Sequence, residues 1–248
     1  MTFRAHTERL TADDIPVYLG LDVAMGHFID GAVSQWDEMF LPEKLQESLR
    51  RATIPTASGD TPLVVAETVL LSANRAPLRT TPPSRTVPMA VVGVLIGGLL
   101  AVLGRLGTKH RPARMAFGVL VAALAFVIGA LGCVLVLLWA GTDHEVAYRN
   151  ENVLQCAPWA LLLGIAATRL AVKREGGERA AWAAALLALA FSALGLVLKA
   201  LPPFHQVNGH IIALVLPLWV GTAAGCLAFV RRTPVTGIRA PERKPDVE

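Results

Sequence analysis

The chain has 248 residues, 54% hydrophobic and 17% charged, with a net charge of +4 and a mean hydropathy of +0.51. Soluble domains carry about 25% charged residues, so an ordinary cytosolic globular protein is excluded. Residues 1–87 hold 8 Lys and Arg against 11 Asp and Glu, residues 88–248 hold 15 against 8, and the basic groups sit between apolar runs, which argues against a nucleic-acid partner.

Residues 1–75 read as a small α+β segment. Phe28 to Phe40 has helical apolar spacing. FLPEKLQESLRRA (40–52) predicts an amphipathic helix opened by Pro42, with Leu45 and Leu49 on one face. PLVVAETVLL (62–71) predicts a strand. His27, Trp36, Asp37 and Glu38 are read as structural. Residues 76–87, within the proline-rich APLRTTPPSRTVP, form a linker into the apolar part of the chain.

Five uncharged runs come next: Val87–Gly104, Met115–Thr142, Asn152–Thr168, Ala180–Leu198 and Ile211–Val230. Each is near the roughly 20 residues that cross a bilayer core of about 30 Å, the third being short. The expected fold is therefore mainly α: a five-helix transmembrane bundle over 88–230, preceded by the small α+β segment and followed by a basic tail, 231–248. Gly93-x3-Gly97 and Gly221-x3-Gly225 are small-residue patterns that let membrane helices approach closely.

The loops orient the bundle. Arg105, Lys109, Arg111 and Arg114 lie between runs one and two, and Arg169, Lys173, Arg174 and Arg179 between three and four. The alternate loops, 141–152 and 202–210, are polar with one Arg between them. The positive-inside rule places the basic loops and the C-terminus in the cytoplasm and residues 1–87 outside. The expected location is the bacterial cytoplasmic membrane. An external segment needs an export signal, and MTFRAHTERL has no apolar core of that kind. The expectation is that a catalytic part of the protein precedes Met1.

Cys133, Cys156 and Cys226 all fall in the apolar half and form no CxxC, so no zinc or redox motif is written here. The polar loops are more informative. In one reading their Asp and Asn residues only cap helices, Asn152 and Asn208 above all. In another, His144 moves a proton, Asp143 orients it, and Asn150, Asn152, Gln206 and Asn208 bind a lipid ester or head group. A metal site from His144, His205 and His210 lacks any helical spacing, and neither a metal nor a cofactor is expected. Cys156 lies near His144 in sequence, but a buried inert thiol is the commoner state. Lys199 can snorkel to the interface.

Two stretches carry a resemblance. WAGTDHEVAYRNENVLQCAPWALLL (139–163) resembles a signature of the Lnb-type lipoprotein intramolecular acyltransferase family: a helix ending in Thr142-Asp143-His144, then Asn150-x-Asn152 and Pro158. PPFHQVNGHIIALVLPLW (202–219) is similar to that family's second external loop, with Gln206 and Asn208 before Pro217. QWDEMFLPEKLQESL (35–49) and TPLVVAETVLL (61–71) resemble the end of its external domain. The resemblance implies acyl transfer at the outer membrane face, with membrane lipids and a lipoprotein as partners. It also implies a Cys nucleophile and a His base in the external domain, whereas the first cysteine here is Cys133. The alternative function is a non-enzymatic membrane module, an anchor or transporter subunit. The five runs are uncharged through their centres, which disfavours transport of a charged substrate.

Overall fold

A computed structural model of the chain describes residues 1–72 and 76–232. It is mainly helical. The head comprises α1 (Phe3–Leu10), α2 (Ile15–Ala24), the short α3 (Gln35–Glu38), α4 (Pro42–Arg51), and a hairpin of β1 (Thr53–Thr56) and β2 (Gly59–Pro62). Thr2 and Asp14 cap α1 and α2 through their side chains, and α4 opens at Pro42 as expected.

Two expectations in the head are corrected. Phe28 to Phe40 is not one helix: a 3-10 turn, His27–Asp30, stops at Gly31, and Ser34 with Asp37 then forms a capping box that starts α3 afresh. Residues 63–71 form no strand. The only sheet among the described residues is the hairpin, whose register pairs Thr53 with Pro62 and Thr56 with Gly59. Gly59 turns it at φ 116°, a conformation that favours glycine. A strand needs a partner for its ladder, and the nearby turn supplies one to 53–56 but none to Val65 and Leu70, which are 90% and 94% exposed.

The linker leads into α5 (Thr86–Gly107), α6 (Arg111–Gly141), α7 (Ala160–Ala171), α8 (Gly177–Leu198) and α9 (Gly209–Val230). Each packs on its chain neighbours, and α9 returns onto α5 to close the ring. Phe117, Leu163, Leu170, Trp219, Cys226 and Phe229 are buried within it. Its outer surface bares Val94, Leu95, Val127, Leu137, Leu162 and Val220. An apolar exterior is what lipid, rather than water, would solvate.

Four of these helices, α5, α6, α8 and α9, are long and apolar enough to cross a membrane. The third expected span falls short. Residues 151–154 form a 3-10 turn and α7 has 12 residues. Pro158 explains this, because it lacks an N–H and biases Ala157 away from the α region, so regular helix begins only at Ala160. The basic tail expected over 231–248 lies almost wholly outside the described residues.

The glycine patterns do bring helices together. A Cβ on Gly221 would strike the Gly97 backbone, and one on Gly97 would strike the Pro217 carbonyl. The two main chains therefore touch, and no side chain is available to yield.

Candidate functional site

The two polar loops meet at the head end of the ring. Glu151 N–H donates to Gln206 Oε1 at 2.8 Å, and Gln206 N–H donates to Glu151 Oε1 at 2.9 Å. Lys199 closes the same corner, donating to Glu151 and, at 2.7 Å, to the Gln206 carbonyl. At the opposite end, Lys109, Arg111, Arg114 and Lys173 gather around one cavity, and Arg114 pairs with Glu178. The chain between Asn152 and Ala171 thus runs from one end of the ring to the other.

Onto the polar end the head lowers α2. Leu19 and Val23 rest on the buried core, and the Tyr18 ring meets His210 with centroids 5.7 Å apart. The last carbonyls of a helix have no partner within it. Here other elements supply one. Asn150 Nδ2 donates to the carbonyls of Val23 and Ala24 at 2.8 and 3.0 Å. Asn152 Nδ2 donates to those of Asp22 and Val23, both at 3.2 Å, and Gln206 Nε2 to that of Met25 at 3.0 Å. Gly26 N–H donates to the Val146 carbonyl at 2.7 Å.

Three of the four amides expected to bind a ligand thus bind the head. Asn208 joins them through Asn152, its Nδ2 donating to Asn152 Oδ1 at 2.8 Å. All four are buried. Asn150, rather than the expected Asn152, is a cap, its side chain accepting from Asn152 N–H, and it binds the head as well. Asn208 stands at the start of α9 but makes no side-chain cap.

Arg4 lies beneath this seat, almost fully buried. Its Nη2 donates to the carbonyls of Met25 and Gly26, both at 2.9 Å, while Nη1 and Nε reach the carboxylates of Asp22 and Asp30. Asp30 Oδ2 also accepts from Val207 N–H at 3.1 Å, tying the head to the second polar loop. His210 Nε2 stands 2.6 Å from Asp22 Oδ2, an ion-pair distance without hydrogen-bond alignment. Glu8 adjoins the pair. Its burial, and then the negative charge of Asp22, push its carboxyl up to about 7. Burial and the same carboxylates also push the Tyr18 phenol up.

Arg4, Glu8, Asp22 and Asp30 had no motif to announce them. The signal available was Asp22 in the otherwise apolar helix IPVYLGLDVA, where an isolated acid requires a partner.

Asp143 and His144 lie elsewhere. Both are exposed in the loop after α6, and the His144 backbone N–H donates to Thr142 Oγ1 at 3.3 Å. Of the histidines weighed as metal ligands, His205 meets His27 edge-on at 3.9 Å between centroids. Cys156 is buried.

Beside the seat is a cavity of about 480 Å³, lined by Trp139, Val153, Leu154, Leu198 and Phe204, with His27 and Arg149 among its polar groups. Arg149 sits at φ 50°, a left-handed conformation uncommon for a side chain of its size. The same Arg149, with His27 and His205, also lines a neighbouring cavity of about 360 Å³.

A family model described as the Lnb transmembrane domain matches residues 82–232, more than half of the chain. The chain belongs to the Lnb transmembrane-domain family. The match takes in α5 to α9 and both polar loops, and so covers the membrane region that the Thr142-Asp143-His144 and Gln206–Asn208 resemblances pointed to. No curated protein and no solved structure matches the chain. Membership of the Lnb family and the apolar helices make this a multi-pass membrane protein.

Proposed function

We propose that this chain is the membrane part of a lipoprotein acyltransferase-like protein and that the cavity beside Arg149 receives an acyl-bearing lipid. The observation that carries the reading is the composition of that cavity. Trp139, Leu154, Leu198 and Phe204 suit an acyl chain, while Arg149 and His27 offer charge and hydrogen bonding to an ester or phosphate. Its volume of about 480 Å³ is in the range of small-ligand sites. Asp143 and His144, on the same loop, face outward where an acyl acceptor would arrive. Asn150 borders the cavity, and with Asn152, Gln206 and Asn208 it holds the head beside it.

The reading includes five membrane crossings, the third made by residues 152–171, with the polar end outside the cytoplasmic membrane and the basic end inside. The alternation of basic and polar loops supports it. In a Cys133→Ser, Cys156→Ser, Cys226→Ser background, an impermeant thiol reagent on intact cells should label a cysteine at Gly141 and spare one at Thr108. The reverse pattern would invert the orientation.

Arg149→Ala should lower the yield of acylated lipoprotein about 10-fold or more, read as the mass of the lipoprotein's N-terminal peptide. His144→Ala should lower it about 100-fold if the imidazole transfers a proton. Wild-type acylation in both variants would leave a non-enzymatic membrane module.

A further inference from the structure

We propose that Glu8, Asp22 and His210 form a binding site for one divalent transition-metal ion of the zinc class, completed when the head docks on α9. A carboxylate oxygen from α1, one from α2 and an imidazole nitrogen from the second position of α9 lie within 4.8 Å of one another, all on buried residues. Two carboxylates and one histidine are a donor set that zinc accepts, with the remaining positions open to water. Bonds of about 2.0–2.2 Å in a tetrahedral site place ligand atoms about 3.3 Å apart, so drawing these three groups onto one ion requires only small side-chain movements.

The second, independent observation is a pair of orphaned atoms. Asp22 Oδ2 and His210 Nε2 are buried and make no hydrogen bond among the described residues, although they face each other at 2.6 Å. Buried polar atoms are costly without a partner. One ion between them and Glu8 would satisfy both.

Asp22 divides its duties. Oδ1 accepts from Arg4, while Oδ2 is turned to His210. An Arg holding the far oxygen of a ligating carboxylate is a supporting contact that orients metal ligands. With Glu8 ionised by the bound cation, Glu8, Asp22 and Asp30 against Arg4 leave two negative charges in excess, which a divalent ion balances. The Tyr18 ring packs on His210 and restricts its rotation.

The site stands apart from acyl transfer, and its test needs no activity. The untagged full chain in detergent, stripped with chelator, is titrated with Zn2+ by calorimetry and melted with and without the ion. One equivalent should bind, raise the melting temperature, and show only nitrogen and oxygen neighbours by X-ray absorption. His210→Ala and Glu8→Gln should each weaken binding about 100-fold and abolish the thermal shift, while His205→Ala should retain both. Glu8→Gln keeps the side chain's size, so it decides the matter even if His210→Ala does not fold. Less than one equivalent on the wild-type chain, sulfur among the neighbours, or wild-type affinity in Glu8→Gln would overturn the site.

Discussion

Replacing Arg4 by methionine should release the head from the membrane bundle. The guanidinium is the hub of the seat, donating to two carboxylates and to the carbonyls of Asp22, Met25 and Gly26. Methionine fills similar volume but leaves Asp22 and Asp30 buried without their cation. Breaking a buried pair in this way costs about 3–5 kcal/mol, and because every Arg4 partner lies in the head, the loss falls on the 22–30 segment by which the head docks. Hydrogen exchange should show the loss directly: Gly26 N–H, bonded to the Val146 carbonyl, should exchange rapidly in the variant and slowly in the wild type. Arg4→Lys should not rescue it, because an ammonium cannot reproduce the planar fork that serves both carboxylates and the carbonyls together. Slow Gly26 exchange in Arg4→Met would show that the amides alone hold the head.

The second large effect lies in the bundle. Gly221→Leu should prevent α9 from closing on α5, because the new side chain meets the Gly97 main chain and nothing flexible can make way. Overpacking against movable side chains costs about 1–3 kcal/mol, and a backbone contact can be relieved only by separating the helices. The variant should aggregate in detergent or melt well below the wild type. Gly98→Leu is the matched control: it adds the same side chain to the same pair of helices but faces open space, and it should melt like the wild type. Equal melting temperatures for both variants would show that the α5–α9 contact contributes little.

The glycine contact was legible because a small-residue repeat records a close approach in the sequence itself. So was the gathering of polar groups at one end, since Asn150, Asn152, Gln206 and Asn208 sit in the two polar loops that alternate with the basic ones. What they bind was not legible. The partners of Asn150, Asn152 and Gln206 are the carbonyls of residues 22–25, more than 120 positions away, and a carbonyl is the same in every residue. Arg4 was hidden for a related reason: MTFRAHTERL carries no motif, and only the fold brings the Arg4 guanidinium between Asp22 and Asp30. The short α7 starts later than the expected run because hydropathy counts Pro158 as a mild interruption, while the helix ladder treats it as a start point. Residues 63–71 have strand composition, but pairing is decided by neighbours, and composition does not name them.

The seat recognises α2 by its main chain. Five successive carbonyls, from Asp22 to Gly26, are held by Arg4 and the amides. These hydrogen bonds therefore read the path of the chain rather than the identity of Val23, Ala24 or Met25, while the packing of Val23 on the core keeps that position apolar. Gly26 is the exception, since a Cβ there would run into the Tyr148 carbonyl. A junction of this kind fixes Arg4, Asp22, Asp30 and Gly26 on the head side and the amides on the bundle side. One membrane bundle could thus seat heads of differing sequence, provided each keeps the Arg4, Asp22 and Asp30 cluster and a helix end turned on a glycine.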